Sequence, residues 1–371
     1  MKNSPTMEYS QNSFFSDVGS TVYSSNNSVH NFADNTGGEY LGYKNRVSIK
    51  KSKLSKYFTF LPVVSLISIV IFFYTTTLSY HLIPLISQSS EVYENQFVYE
   101  FSTYHFFFTL FIINYLLCLF VKPGTIPDDQ KWNVDQSSPD LKLLEKKKTG
   151  APRQCRWCNK FKPDRTHHCD RCGTCVLKMD HHCPWTSQCV GWNNYKYFFL
   201  TIFYATLTLL YTVYILTPTS VNSLHDKTPF QIVSIIFIVN IFSLIISLVL
   251  LFFFNFHLWL ILRNKTTVEY LEGFKPIRPD WDIGIYRNFC SVLGSNPFLW
   301  FLPVPNKNTF SDGLTFSKNF EHYNQSNTIF DDMNFNDNIT EIMNSNETIG
   351  DINSEFIRTS RENELFKPII D

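Results

Sequence analysis

Nine cysteines occur in this 371-residue chain, and seven of them crowd between positions 155 and 189. In order, the cluster reads Cys155, Cys158, His168, Cys169, Cys172, Cys175, His182, Cys183 and Cys189. Two thiolates spaced Cys-x2-Cys can grip one ion from a tight turn, and a closed structural zinc site takes four nitrogen or sulfur ligands. Such pairs stand at Cys155/Cys158, Cys169/Cys172 and Cys172/Cys175. Two closed sites need eight ligands, which six Cys and two His would supply, so one of the seven Cys is left over. Counting alone does not say which one.

The neighbours of Cys183 single it out. It lies in Asp180-His181-His182-Cys183-Pro184-Trp185, beside a base and an acid. Cysteine attacks as the thiolate, and a paired His lowers its pKa below the free value of about 8.5. A carboxylate orienting the imidazole would complete a catalytic triad. The competing reading is a further structural Cys in a zinc-rich loop.

Something must carry this loop, and the apolar residues say what. Four windows, 57–78, 104–121, 197–216 and 231–254, contain no Asp, Glu, Lys or Arg. Each is close to the roughly 20 residues a helix needs to cross about 30 Å of hydrocarbon. Buried helices of a soluble core would keep a polar face, and these do not. Uninterrupted runs satisfy their backbones as helices, so the expected fold is an all-α polytopic membrane protein with four transmembrane helices. The cysteine-rich domain then falls between helices two and three. Overall, 32 Lys+Arg offset 32 Asp+Glu, and this zero net charge argues against a nucleic-acid binder.

Basic residues set the expected orientation. Lys44, Arg46, Lys50, Lys51, Lys53 and Lys56 precede the first window, and fourteen Lys or Arg lie in 122–196. The 79–103 connection has none, and the short third connection has only Lys227. Both termini and the long loop are therefore expected in the cytosol, where thiols stay reduced and clustered Cys points to metal rather than disulfides. The partition that follows is a polar tail over 1–56, helices one and two over 57–121, and the loop over 122–196 with its zinc domain core at 153–203. Helices three and four follow over 197–254, then a cytosolic segment over 255–305 and an Asn-rich tail expected to be disordered over 306–371. The first 43 residues lack the charged and apolar regions of a cleavable signal, so the first span is expected to serve for insertion.

The pattern Cys-x2-Cys-x9-His-Cys-x2-Cys-x2-Cys-x4-Asp-His-His-Cys-x5-Cys-x4-Asn-x3-Phe runs without a gap over 155–198, closing at Asn194 and Phe198. It resembles the cysteine-rich domain of the DHHC protein S-acyltransferases (palmitoyltransferases). Downstream, Thr266-Thr267-Val268-Glu269 matches that family's TTxE motif, and 288–303 resembles its C-terminal aromatic motif, beginning at Asn288. One departure is visible: the family's Asp-Pro-Gly after span two reads Lys122-Pro123-Gly124 here. A Lys is comfortable at the cytosolic edge of a membrane.

The resemblance implies two structural Zn2+ with interleaved ligands. One set is Cys155, Cys158, His168 and Cys175; the other is Cys169, Cys172, His182 and Cys189. It also implies Cys183 as nucleophile, His181 as base and Asp180 as its orienter, with Thr266, Thr267, Glu269 and Asn288 in support. The co-substrate would be palmitoyl-CoA or a related acyl-CoA, whose phosphates Lys160, Lys162, Arg165 and His167 would meet. The partners implied are membrane-associated proteins with juxtamembrane cysteines and the bilayer, in an endomembrane (Golgi or ER) or the plasma membrane. A membrane-anchored zinc module resembling RING-type ligases, or an inactive scaffold, is the alternative. It accounts for the ligands but not for an unligated Cys in an intact Asp-His-His-Cys. Outside the cluster, Cys118 reads as a small apolar residue within span two, and Cys290 as structural, with a lipidation site as its alternative.

Overall fold

A computed structural model describes residues 53–87, 91–134, 141, 143–147, 149–273, 281–305 and 311–318. The N-terminal tail to Ser52 and the tail beyond 318 lie outside these residues. Among the described residues the fold is mostly helical, and four helices are long and apolar enough to cross a membrane: Thr59–Ile86, Glu91–Phe120, Tyr195–His225 and Phe230–Leu262. The chain is a multi-pass membrane protein.

Each helix outruns the charge-free window that announced it. The second, α3 (Glu91–Phe120), starts thirteen positions ahead of its window and carries Glu91, Glu94 and Glu100. Helical hydrogen bonding does not stop at the hydrocarbon edge, so a window defined by the absence of charge marks only the apolar middle. Glu100 is tolerated because it is bonded: His81 Nε2 lies 2.6 Å away and Gln96 donates to it at 2.9 Å.

The first span has a defect that serves this contact. Helix α1 (Lys53–Thr77) runs into a π turn, Leu78–Leu82, before the short α2 (Ile83–Ile86). Pro84 has no N–H to return to the preceding turn, and the ladder gives way just before it. The extra residue turns His81 inward, where its Nδ1 reaches Thr219 Oγ1 at 2.6 Å.

Helix α4 (Tyr195–His225) is the central helix, packed against both α3 and α5 (Phe230–Leu262). Small residues make the approach close: Thr208 and Thr212 on α4, and Ser243 and Ser247 on α5, are all buried at i, i+4 spacing. The opposite face of α5 exposes Ile238, Ile241, Phe242, Ile245, Leu248, Val249 and Phe252. A stripe of that kind belongs against lipid tails rather than water.

Between α3 and α4 the fold stops being helical. Among the described residues, three two-stranded antiparallel hairpins build the cysteine-rich loop. They are β1 (Gln154–Cys155) with β2 (Lys160–Phe161), β3 (His167–Cys169) with β4 (Thr174–Val176), and β5 (His181–Cys183) with β6 (Gln188–Val190). Their apolar core is small, centred on Ile126, Trp132, Leu143, Phe161 and Leu177 around the thiols. Two glycines let the hairpins close on the membrane helices. Gly124 takes φ +96° just after Pro123, and its carbonyl accepts from Leu177 N at 3.1 Å. Gly191 sits where an added Cβ would come within 2.8 Å of the Leu177 carbonyl. The Pro-Gly turn thus keeps its geometry with Lys122 in front of it.

After α5 come the short α6 (Thr267–Leu271) and α7 (Ile285–Leu293). Thr266 and Glu269 form a complete capping box at the start of α6. Asn288, fully buried, donates to Leu262 O at 2.8 Å and ties α7 to the end of α5. Lys196 is buried in the first turn of α4 and donates to Leu293 O and Leu299 O at 3.0 and 2.8 Å. Residues 311–318 require a correction. They fall within the stretch expected to be disordered, yet they fold back and pack on the hairpins, because Leu314 and Phe316 find apolar and aromatic partners there.

Candidate active site

Strand alternation sorts the residues of β5. Successive side chains point to opposite faces, so His181 and Cys183 share one face while His182 takes the other. His182 pairs across the hairpin with Cys189, and Cys183 with Gln188. The outward-facing His182 joins Cys169, Cys172 and Cys189, with its Nδ1 at 3.6, 3.3 and 3.7 Å from the three sulfurs. Hairpin β3–β4 repeats the device, pairing His168 with Cys175. His168 Nδ1 stands 3.5, 3.3 and 3.9 Å from Cys155, Cys158 and Cys175.

These two groups of four are the clusters able to hold a metal ion among the described residues. Zinc bonds of about 2.3 Å to sulfur and about 2.0 Å to nitrogen give tetrahedral edges of roughly 3.5–3.8 Å. The observed separations match those edges, so the donor sets fit the ion. His168 also has its outer nitrogen 3.5 Å from Asp170, the carboxylate backing usual for a ligating imidazole.

On the inner face of β5, Cys183 is 5% exposed and His181 is held by Asp180. Asp180 Oδ2 accepts from His181 Nδ1 at 2.7 Å. Thr267 completes the carboxylate's shell, its N–H donating to Oδ1 at 2.9 Å and its hydroxyl to Oδ2 at 2.8 Å. Burial works against the Asp180 carboxylate, but the His181 bond outweighs it and the net shift is downward. Burial likewise disfavours the imidazolium, yet the Asp180 and Cys183 bonds lift His181 to about 9. For Cys183, burial pushes the thiol up, and the hydrogen bond and charge of His181 pull it below its ordinary value. Both shifts favour the charged form of the pair, the direction in which a neighbouring imidazole activates a cysteine.

The membrane helices hold this pair from below. Tyr115 donates to Trp185 O at 2.9 Å, and the Gln188 amide donates to the Cys118 carbonyl at the end of α3. Asn194 accepts from Gly191 N at 2.9 Å and donates to Cys189 O and Val121 O, tying β6 to α3 and α4. The His181 ring meets Phe198 edge-on at 5.0 Å, and Phe198 meets His257 in the same way. Cys183 thereby opens onto an apolar cluster that includes Cys118, Tyr197, Phe198 and Ile202.

The four basic residues expected at phosphates fare differently. Arg165 is 1% exposed, with its guanidinium engaged by Glu269 at 2.7 and 2.8 Å and by Asn264 at 2.7 and 3.1 Å. A buried, fully engaged fork is structural, which corrects the expectation of a phosphate contact. Lys160 is paired with Asp128 at 2.5 Å, and His167 lies 3.8 Å from Glu272. Lys162 is only partly buried. Lys178, Asn264, Gln188 and Tyr115 are site residues that the sequence did not single out. The bonds Lys178–Asn264, Gln188–Cys118 and Tyr115–Trp185 span 70 to 86 positions, beyond any local pattern.

Comparison with known proteins gives the following likenesses. A family model described as DHHC palmitoyltransferase aligns with residues 148–273. Palmitoyltransferase ZDHHC15 of Xenopus laevis is 38% identical over 202 residues, which cover 51% of this chain and 57% of the relative. ZDHHC15A of Danio rerio is 39% identical over 172 residues, covering 45% of this chain and 52% of the relative. The chain thus spans little more than half the length of these two proteins. Against the probable protein S-acyltransferase 15 of Arabidopsis thaliana, identity is 34% over 221 residues, covering 56% of this chain and 84% of the relative.

Proposed function

The chain belongs to the DHHC palmitoyltransferase family, and on that premise we propose that it is a protein S-acyltransferase that works through an acyl-Cys183 intermediate. The observation that carries the reading is the Asp180–His181–Cys183 arrangement, a depressed thiol beside a carboxylate-held imidazole at the mouth of the membrane helices.

Cys183 thiolate attacks the thioester carbonyl of a long-chain acyl-CoA. The carbonyl–sulfur bond to CoA breaks, and the departing thiolate takes the proton from His181. A cysteine thiol of a membrane-associated protein then gives its proton to His181 and attacks the acyl-Cys183 carbonyl, releasing Cys183 as thiolate. Asp180, held by Thr267, keeps the imidazole in the tautomer that both steps need. The acyl chain runs among the helices from the apolar cluster beside Cys183, each buried CH2 contributing about 0.8 kcal/mol. CoA phosphates meet Lys160, Lys162 and His167.

Cys155, Cys158, His168 and Cys175 would hold one zinc, and Cys169, Cys172, His182 and Cys189 the other. Bound zinc supplies folding energy to hairpins that have little apolar core of their own. The basic excess around the loop supports a cytosolic placement for it and for both termini, in an endomembrane or the plasma membrane.

The test is to incubate the membrane-embedded protein with a clickable palmitoyl-CoA and look for hydroxylamine-labile label. The wild type should be labelled and Cys183→Ala should not. Equal labelling of the two would overturn the proposal.

A further inference from the structure

Residues 311–318 lie outside the matched 148–273 domain, yet they pack against its catalytic support. Three anchors hold the segment. Asp312 Oδ1 accepts from Leu314 N, Thr315 N and Thr315 Oγ1 at 2.9, 2.8 and 3.0 Å, folding it into a compact turn. Gly313, at φ +82°, lies so close to Trp192 that an added Cβ would come within 2.8 Å of the ring. Leu314 packs with Trp192 on the hairpin core.

The turn delivers Phe316. Its ring lies 5.2 Å from the Arg165 guanidinium and 5.9 Å from Lys178 Nζ, and meets Trp281 edge-on at 5.8 Å. Trp281 lies 5.3 Å from the Arg165 guanidinium, so two aromatic rings in contact with each other border it. Arg165, Lys178 and Asn264 are non-glycine residues with positive φ, at 60°, 41° and 45°. Left-handed backbone is strained for side chains of this kind and persists only where the surroundings hold it.

A continuous path leads from that ring to the nucleophile. Arg165 grips Glu269 in a bidentate pair, and Glu269 Oε2 accepts from Thr266 N at 2.9 Å. That capping box aims Thr267 at Asp180, and Asp180 holds His181 beside Cys183. We propose that residues 311–318 form a positioning element for acyl transfer, acting through Phe316 on the Arg165–Glu269 pair and from there on Asp180. The inference rests on the transferase reading. Phe316 touches no reacting atom, so its effect belongs on the rate of acyl-enzyme formation rather than on acyl-CoA affinity.

The experiment measures single-turnover acyl-enzyme formation over a range of palmitoyl-CoA concentrations, with metal content and thermal midpoint for each protein. A chain ended after Lys318 should stay within about twofold of the full chain. A chain ended after residue 310 and the full-length Phe316→Ala should both slow about tenfold at saturation, with the half-saturating concentration unchanged. Phe316→Trp, which restores an aromatic face over Arg165, should recover most of the rate. An undiminished rate in Phe316→Ala overturns the proposal. So does a loss that tracks loss of metal or of thermal stability, or one that appears only as weaker acyl-CoA binding. Wild-type protein labelled no better than Cys183→Ala would overturn the transferase reading, and this inference with it.

Discussion

Replacing Thr267 by Val removes one hydrogen bond and little else. The side chains are nearly the same size, the N–H of residue 267 still reaches Asp180 Oδ1, and α6 keeps its cap because Thr266 supplies it. What disappears is the 2.8 Å bond from the Thr267 hydroxyl to Asp180 Oδ2, the oxygen that also holds His181. A hydrogen bond to a buried charge contributes about 1.5–3 kcal/mol. Asp180 keeps two donors, so the low end applies, and about 1.5–2 kcal/mol off the transition state slows acylation roughly 10- to 30-fold. The assay is single-turnover appearance of hydroxylamine-labile acyl-enzyme, with Thr267→Ser as the companion that restores a hydroxyl. Thr267→Val should be slow and Thr267→Ser close to wild type, with both melting as the wild type does. A Val variant as fast as wild type, or a Ser variant no faster than Val, would refute the chain of reasoning from Thr267 to Cys183.

Two further outcomes follow from the geometry. Metal analysis should find two zinc ions per chain, and Cys172→Ala, which removes one ligand of the second cluster, should lower the content; one ion or none in the wild type would refute the ligand assignment. Lys178 is pushed down to about 7, first by burial and then by Arg165. Its folded pKa lies below its unfolded value near 10.5, so the unfolded chain binds more protons between those limits and stability rises with pH there. The thermal midpoint should therefore climb from pH 7 to pH 9 more steeply in wild type than in Lys178→Met, and an equal or steeper climb in the variant contradicts it.

Much of this was legible in one dimension because the signals were local. Charge-free runs announced four spans, although their ends were not visible, since helices continue until a turn or a proline stops them. Counting ligands left a single cysteine over, and the neighbours of Cys183 pointed to it before any geometry was known. The eight other residues come together in the two groups that the resemblance implied. Arg165 was misread for a physical reason. A basic residue beside metal ligands looks solvent-facing, and its true partner, Glu269, is 104 positions away. Phe316 was hidden in the same way, inside a largely polar stretch whose packing exists only once the chain has folded back.

The strand from His181 to Cys183 has one more consequence. In the proposed reading its three residues do three jobs only because side chains alternate, which makes the site sensitive to frame as well as to identity. Gaining one residue between Asp180 and His181 would rotate the rest of the strand by half a turn while Asp180 stayed where Thr267 holds it. The metal would then be offered His181 and Cys183, while His182 would face Asp180. Every chemically important residue would still be present, and none would be in its place. Substitutions here can be graded, but a single-residue insertion would be all or nothing.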